Sequence, residues 1–258
     1  LSAFGPAVLR RGRGYAPLPV TRLPGNRPIL AVGSDLKNTV TLVVKGQAIV
    51  SQHLGDLTRY EAYTAFEQTV YDLLAMYDVP LAETVVAFDL HPDHRSAQFA
   101  RGLEACGHVG IQHHRAHVAS VLAEHHALDK RVIGVAFDGT GFGDDGAIWG
   151  GELFVGSAAE GLKRRGHLRY AMLPGGDAAA RMPLQALAGF FVDDPKWAIN
   201  VGKQLSFPER FFTAVKMVEK QLRTFPTTSV GRLFDAAAAL LGFTGPISFE
   251  GQAAIWLE

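Results

Sequence analysis

Apolar runs of strand length alternate with helix-period stretches along this chain, and no other feature restricts its fold as much. Pro28-Ile29-Leu30-Ala31-Val32-Gly33 reads as a buried strand, Thr39–Val44 as a second, and Gly46 turns the chain into Ala48–Ser51. Between Tyr60 and Tyr77, the residues Tyr63, Phe66, Val70, Leu73, Leu74 and Tyr77 recur every three or four positions. That is the period of a helix with one buried face, and Pro80 closes it. Val85–Phe88 returns to strand and ends at Asp89-Leu90-His91-Pro92. A helix is expected over Arg95–Cys106, a short strand over Val109–Gln112, and a helix from about Arg115 to His126. Val132–Phe137 is the most strand-like run and stops at Asp138; Ile148–Gly151, Leu153–Val155 and Leu168–Met172 continue as strands. From Pro183 the pattern turns mainly helical, through Leu205–Leu222 and Val230–Leu241.

Strands with mixed connections followed by helices predict an α/β lobe with a mainly helical second portion. The expected organisation is a linker over 1–28, an α/β lobe over 29–182 and a helical portion over 183–258. Arg10, Arg11, Arg13 and Arg22 in the first segment either solvate a loop or touch phosphate or a neighbouring domain.

Composition narrows the function classes. At 258 residues there is room for one large α/β unit or two lobes. Twenty-five Lys plus Arg balance 25 Asp plus Glu, so no global field draws nucleic acid or an anionic membrane. The lone cysteine, Cys106, rules out an internal disulfide and a cysteine zinc knuckle, and is expected as a buried thiol. No apolar run reaches the roughly 18 residues of a membrane span, and no secretory signal opens the chain, so a cytoplasmic protein is expected.

The chemistry concentrates in a few segments. In His113-His114-Arg115-Ala116-His117, a helix starting at the first residue would put His113 and His117 one turn apart, able to converge on one cation. His114, rotated by about 100°, would face elsewhere. Imidazole suits iron, zinc, nickel or copper; two surface histidines are the bland alternative. The loop Gly33–Thr39 is a hairpin that can wrap a phosphate. Asp138-Gly139-Thr140-Gly141-Phe142-Gly143 reads as a glycine turn exposing amides to an anion, with Asp138 able to bind a metal directly or through water; an acidic hairpin loop without a metal is the plain alternative. Trp149-Gly150-Gly151-Glu152 adds a second glycine pair and a carboxylate. Asp235 is expected in the first turn of a helix, favoured by the dipole or turned towards a ribose. Glu250 reads as a cap or a nucleotide contact. The glycine spacing fits neither the Walker loop nor the dinucleotide fingerprint.

Taken in order, Arg10–Pro17, Leu36–Thr39, Gly55–Leu57, Asp89–Pro92, Gln112–His117, Asp138–Gly143, Trp149–Glu152, Leu173–Asp177, Gly231–Asp235 and Glu250–Ala254 resemble the HypF carbamoyltransferases of nickel-iron hydrogenase maturation. The resemblance covers nearly the whole chain and falls in the family's C-terminal catalytic region. That region is similar to the tRNA threonylcarbamoyladenosine-forming proteins and to the actin-like and sugar-kinase superfamily. It implies a ribonuclease H-like lobe and a metal, iron or zinc, held by His113, His117 and Asp138. It also implies a nucleotide site around Lys37, Gly139, Gly151, Asp235 and Gly251, with Gly141, Glu152 and Glu250 from the same segments; Lys37 and Asp138 would be catalytic. An upstream YrdC-like domain would make carbamoyl-adenylate from carbamoyl phosphate and ATP, and this region would pass the carbamoyl group to the C-terminal cysteine of HypE. Two departures stand out. Met182-Pro183-Leu184-Gln185 replaces the family's acidic residue, Pro, Trp and Arg. The family also continues past the position of Glu258 into a lobe with a further metal aspartate, so a truncated second lobe is expected. A small-molecule carbamoyltransferase, a kinase of the superfamily and a non-catalytic piece that docks a partner are the competing readings.

Overall fold

The structure, a computed structural model, describes residues 16–258. It divides into two compact units that meet at Asp129 and Lys130.

The first unit contains β1 (Pro19–Arg22), β2 (Ile29–Ala31), β3 (Thr41–Val44), β4 (Gln47–Val50), α1 (Tyr60–Met76), β5 (Val85–Asp89), α2 (Arg95–Arg101), β6 (Gly107–Ile111) and α3 (His113–Glu124). Its sheet runs β1-β4-β3-β2-β5-β6. The strands β2, β3, β4 and β1 pair antiparallel, while β5 joins β2 and β6 joins β5 in parallel. This is the mixed sheet of a ribonuclease H-like unit. The parallel joins require crossovers, and α1 and α2 supply them. Phe66, Val70, Leu73 and Leu74 of α1 bury against Leu30, Val32, Leu42, Ile49 and Val86 of the sheet. The helical period in the sequence is therefore the inner face of α1, and the helix ends one residue before the expected Tyr77.

The second unit opens with a long hairpin, β7 (Val132–Phe142) and β8 (Ile148–Ser157), followed by β9 (Gly161–His167) and β10 (Ala171–Pro174). Then come α4 (Asp177–Arg181), α5 (Pro183–Phe190), α6 (Pro195–Gln204), α7 (Glu209–Glu219), β11 (Thr224–Thr227), α8 (Val230–Leu240) and α9 (Gln252–Leu257). The sheet runs β10-β11-β8-β7, with β9 also on β8; only the β11–β8 join is parallel. Leu184 and Leu187 of α5, Phe211 and Val215 of α7 and the alanines Ala236 and Ala239 of α8 form the helical core.

Several expectations change. Arg10, Arg11 and Arg13 lie outside the described residues, and the rest of the expected linker is not plain coil: β1 pairs with β4. The boundary stands at 129/130, where the sequence pattern put it at 182/183. The reason is β11, which follows four helices and returns to pair with β8 and β10, tying residues 183–258 into the sheet of the preceding strands. Cys106 is exposed and not a core thiol, because it leads into β6 at the sheet's edge. No helix among the described residues is long and apolar enough to cross a membrane.

Candidate metal centre and glycine knuckle

In the first unit, Gln112 decides where α3 begins. Its side-chain oxygen accepts from the Arg115 amide at 3.0 Å, capping the helix, and its amide nitrogen donates to His114 Nδ1 at 3.0 Å. The helix thus starts at His113, two residues before the expected Arg115, which puts His113 and His117 one turn apart on one face. His114 is fully buried, with Nδ1 on Gln112 and its ring centroid 5.4 Å from that of His113 and 6.3 Å from that of His117.

Asp89, at the end of β5, takes His113 Nδ1–H on Oδ2 at 2.7 Å and the His91 amide on Oδ1 at 2.8 Å. Burial pushes this carboxyl up, but the bonds from His113 and His91 outweigh it and leave its pKa below the ordinary aspartate value. With the proton on Nδ1, His113 offers the Nε2 lone pair, which lies 3.1 Å from Nε2 of His117. The two rings stand 74° apart. Two nitrogens that close fit one cation at bonds of about 2.1 Å and an angle of about 95°; a tetrahedral angle would set them about 3.4 Å apart. The donor set suits an imidazole-binding cation such as iron, zinc, nickel or copper, with positions left for carboxylate, water or substrate. The pair lines a cleft of about 310 Å³ whose other walls include Ala31, Ser34, Ala87, Phe88 and Ala116. Asp89 is the residue that sequence reasoning passed over, although it ends a strand inside a motif already noticed.

The loop between β2 and β3 is laced from within. Asp35 accepts the Arg95 and Ser96 amides at 3.0 Å each, capping α2 from 60 residues away. Asn38 donates to the Val32 and Ser34 carbonyls. Lys37 is exposed on this fixed loop with φ 52°.

In the second unit, β7 does not stop at Asp138. It continues to Phe142 through a register shift: Phe137 faces Gly151 while Gly141 faces Trp149, so two extra residues bulge out around Asp138–Thr140. The expected glycine turn is thus a knuckle inside a strand, and the tight turn comes later, at Gly143–Gly146. Asp138 Oδ1 accepts the Gly139 amide at 2.6 Å, and the Ser229 hydroxyl, just before α8, donates to the Gly139 carbonyl at 2.5 Å. Two glycines permit this approach. A Cβ on Gly150 would stand 2.5 Å from the Asp138 carbonyl, and one on Gly231 would stand 2.8 Å from Gly139 Cα.

The other expected nucleotide residues divide. Gly141 lies in the β7–β8 ladder, and Gly151 is buried with its amide on Glu152. Glu152 is fully buried; its oxygens are taken by Arg164 Nε at 2.6 Å, by the Thr228 hydroxyl and by the Gly150 and Gly151 amides, all within this unit. It is therefore not laid open to a nucleotide as expected. Asp235 sits in the second turn of α8, not the first, 3% exposed and 2.6 Å from Arg232 Nε. Burial raises its pKa, against the pull of Arg232. Glu250 and Gly251 are exposed ahead of α9, whose N-cap is Gly251, so Glu250 is not the cap.

Comparison with known proteins agrees across both units. Residues 24–124 match the family model described as the HypF Kae1-like domain, and residues 134–258 the one described as the carbamoyltransferase Kae1-like domain, second subdomain. The chain is similar to carbamoyltransferase HypF of Synechocystis sp., 41% identical over 98% of this chain and 35% of that protein. It is also similar to the probable carbamoyltransferase HypF of Methanocaldococcus jannaschii, 34% identical over 97% of this chain and 33% of that protein. The crystal structure of full-length HypF in the phosphate- and nucleotide-bound form superposes with a TM-score of 0.87 at 37% identity, over 96% of this chain and 32% of that one. That of T. kodakarensis HypF gives 0.84 at 32% identity, over 97% of this chain and 34% of that one. The chain thus spans about a third of these relatives.

Proposed function

The chain belongs to the HypF family, of which it spans the Kae1-like region, and on that premise we propose that it carries a metal-assisted carbamoyl transfer. The donor is carbamoyl-adenylate, formed from carbamoyl phosphate and ATP elsewhere in the longer protein. The acceptor is the C-terminal cysteine thiol of HypE. One observation carries the reading: two imidazole Nε2 atoms 3.1 Å apart, one of them backed by a carboxylate on Nδ1. A carboxylate–histidine pair of that kind fixes the tautomer and orientation of a metal ligand.

His113 and His117 would hold the ion, and Asp138 is proposed as the third protein ligand. Bound there, a divalent metal supplies Lewis-acid polarisation. In the transfer, the thiol sulfur attacks the carbamoyl carbon and a C–S bond forms. The bond from that carbon to the phosphate oxygen breaks, AMP leaves, and the thiol proton goes to solvent. A mixed anhydride has a good leaving group, so the site's work is charge stabilisation at the carbonyl and phosphate. Lys37 is proposed to meet the phosphate, and the Asp138–Gly139 knuckle and Asp235 to flank the nucleotide. The kinase reading leaves the histidine pair without a use.

Metal analysis of the full-length protein tests the assignment. The wild type should retain stoichiometric iron or zinc, and the variant carrying His113→Ala with His117→Ala should lose it. Stoichiometric metal in that variant would sink the reading.

A further inference from the structure

The transfer just described gives Glu152 no contact with a ligand, yet this carboxylate is fully buried and fully engaged. Its Oε1 receives the Thr228 hydroxyl and the Gly150 and Gly151 amides, the latter two at 3.2 Å. Its Oε2 receives Arg164 Nε at 2.6 Å. The Arg164 guanidinium lies 3.8 Å above the Trp149 ring and reaches the Tyr170 hydroxyl at 3.1 Å, and that hydroxyl donates to Asp145 at 2.6 Å. One carboxylate therefore joins β8, β9 and the turn between β11 and α8.

These are the elements that hold the knuckle. Gly150 packs under the Asp138 carbonyl, and Ser229, next to Thr228, donates to the Gly139 carbonyl. The amides of Gly150 and Gly151 point at Glu152, which pins the stretch of β8 opposite the register shift. Burial would push the Glu152 carboxyl up, but the bonds from Thr228, Arg164 and the two amides outweigh it and keep the group ionised.

We propose that Glu152, with Arg164 as its counter-ion, is a positioning residue: it fixes Gly150 and the Thr228–Ser229 turn, and through them the direction of the Asp138 carboxylate. Fixing a ligand from behind through hydrogen bonds is how outer groups tune a site they never touch. The inference rests on the reading of Asp138 as a metal ligand.

The test uses full-length protein stripped of metal and titrated with zinc or iron(II). The set is wild type, Glu152→Gln, Thr228→Val, Asp138→Ala, and Glu152→Gln combined with Asp138→Ala. Glu152→Gln should weaken metal binding about tenfold and add nothing in the Asp138→Ala background, the signature of two residues acting through one another. Thr228→Val, a milder change, should move affinity in the same direction. Additive losses in the double variant would overturn the proposal, because Glu152 would then act through general stability alone.

Amide hydrogen exchange on the metal-free variants gives an independent readout. Exchange should quicken over 138–141 and 228–231 in Glu152→Gln and Thr228→Val, and stay unchanged over 183–190. Unchanged exchange at the knuckle would overturn the proposal even if metal binding fell. If Asp138→Ala leaves metal affinity intact, the ligand reading of Asp138 fails, and the exchange pattern alone decides the role of Glu152.

Discussion

The two ring nitrogens of His113 do different things: Nδ1 meets Asp89 at 2.7 Å, and Nε2 meets His117 at 3.1 Å. The i, i+4 spacing of the histidines could be read locally, because it depends only on where one helix starts. Asp89 could not be read that way, since it lies 24 residues earlier and reaches His113 only once β5 and β6 pair. Asp89→Asn keeps the shape but removes the charge behind the imidazole. Metal titration should show a loss of about 10- to 100-fold in affinity with the fold retained. Glu152 makes a prediction in pH. Its folded pKa is depressed, so its contribution to stability is complete above the unfolded glutamate value of about 4.3 and is lost as pH falls through the lower folded value. Urea midpoints followed from neutral pH downwards should therefore fall less steeply for Glu152→Gln than for wild type, and equal slopes would contradict this.

At the scale of elements, α1 shows what periodicity can deliver. Phe66, Val70, Leu73 and Leu74 are the buried face that the sequence pattern marked. Phe66→Ala should destabilise the first unit by about 3–5 kcal/mol, read as a drop in the urea midpoint at unchanged slope. The start of α3 is a subtler device. Gln112 accepts the Arg115 amide, and its replacement by Ala should cost about 1 kcal/mol and loosen the register that aligns the histidines. Besides β1 in the expected linker, β9 and β11 escaped the sequence for physical reasons. In β9, Lys163-Arg164-Arg165 looks like a solvated loop, yet Arg164 turns inward to Glu152 and Trp149. In β11, Thr224-Phe225-Pro226-Thr227 is short and contains a proline, and it is a strand because β10 pairs along it and β8 meets it at Thr227. The glycines around Asp138 suggested a turn; only the pairing of β7 with β8 shows that they let a strand bulge and continue.

For the molecule as a whole, the α/β class and the order of motifs were legible, but the division into units was not. What divides the chain at 129/130 is which strands share a sheet, and β11 pairs with a strand 79 residues earlier. Ordered motifs carried more than any single one, because each glycine pair or histidine pair alone also fits a bland surface. On the proposed function, the His113–His117 pair serves carbamoyl transfer. The most direct measurement is the intact mass of a HypE C-terminal peptide after incubation with the full-length protein, carbamoyl phosphate and ATP. Wild type should add one carbamoyl group at the peptide's cysteine, and the variant with both His113→Ala and His117→Ala should add none. Equal carbamoylation by that variant would show that the histidine pair does not serve the transfer.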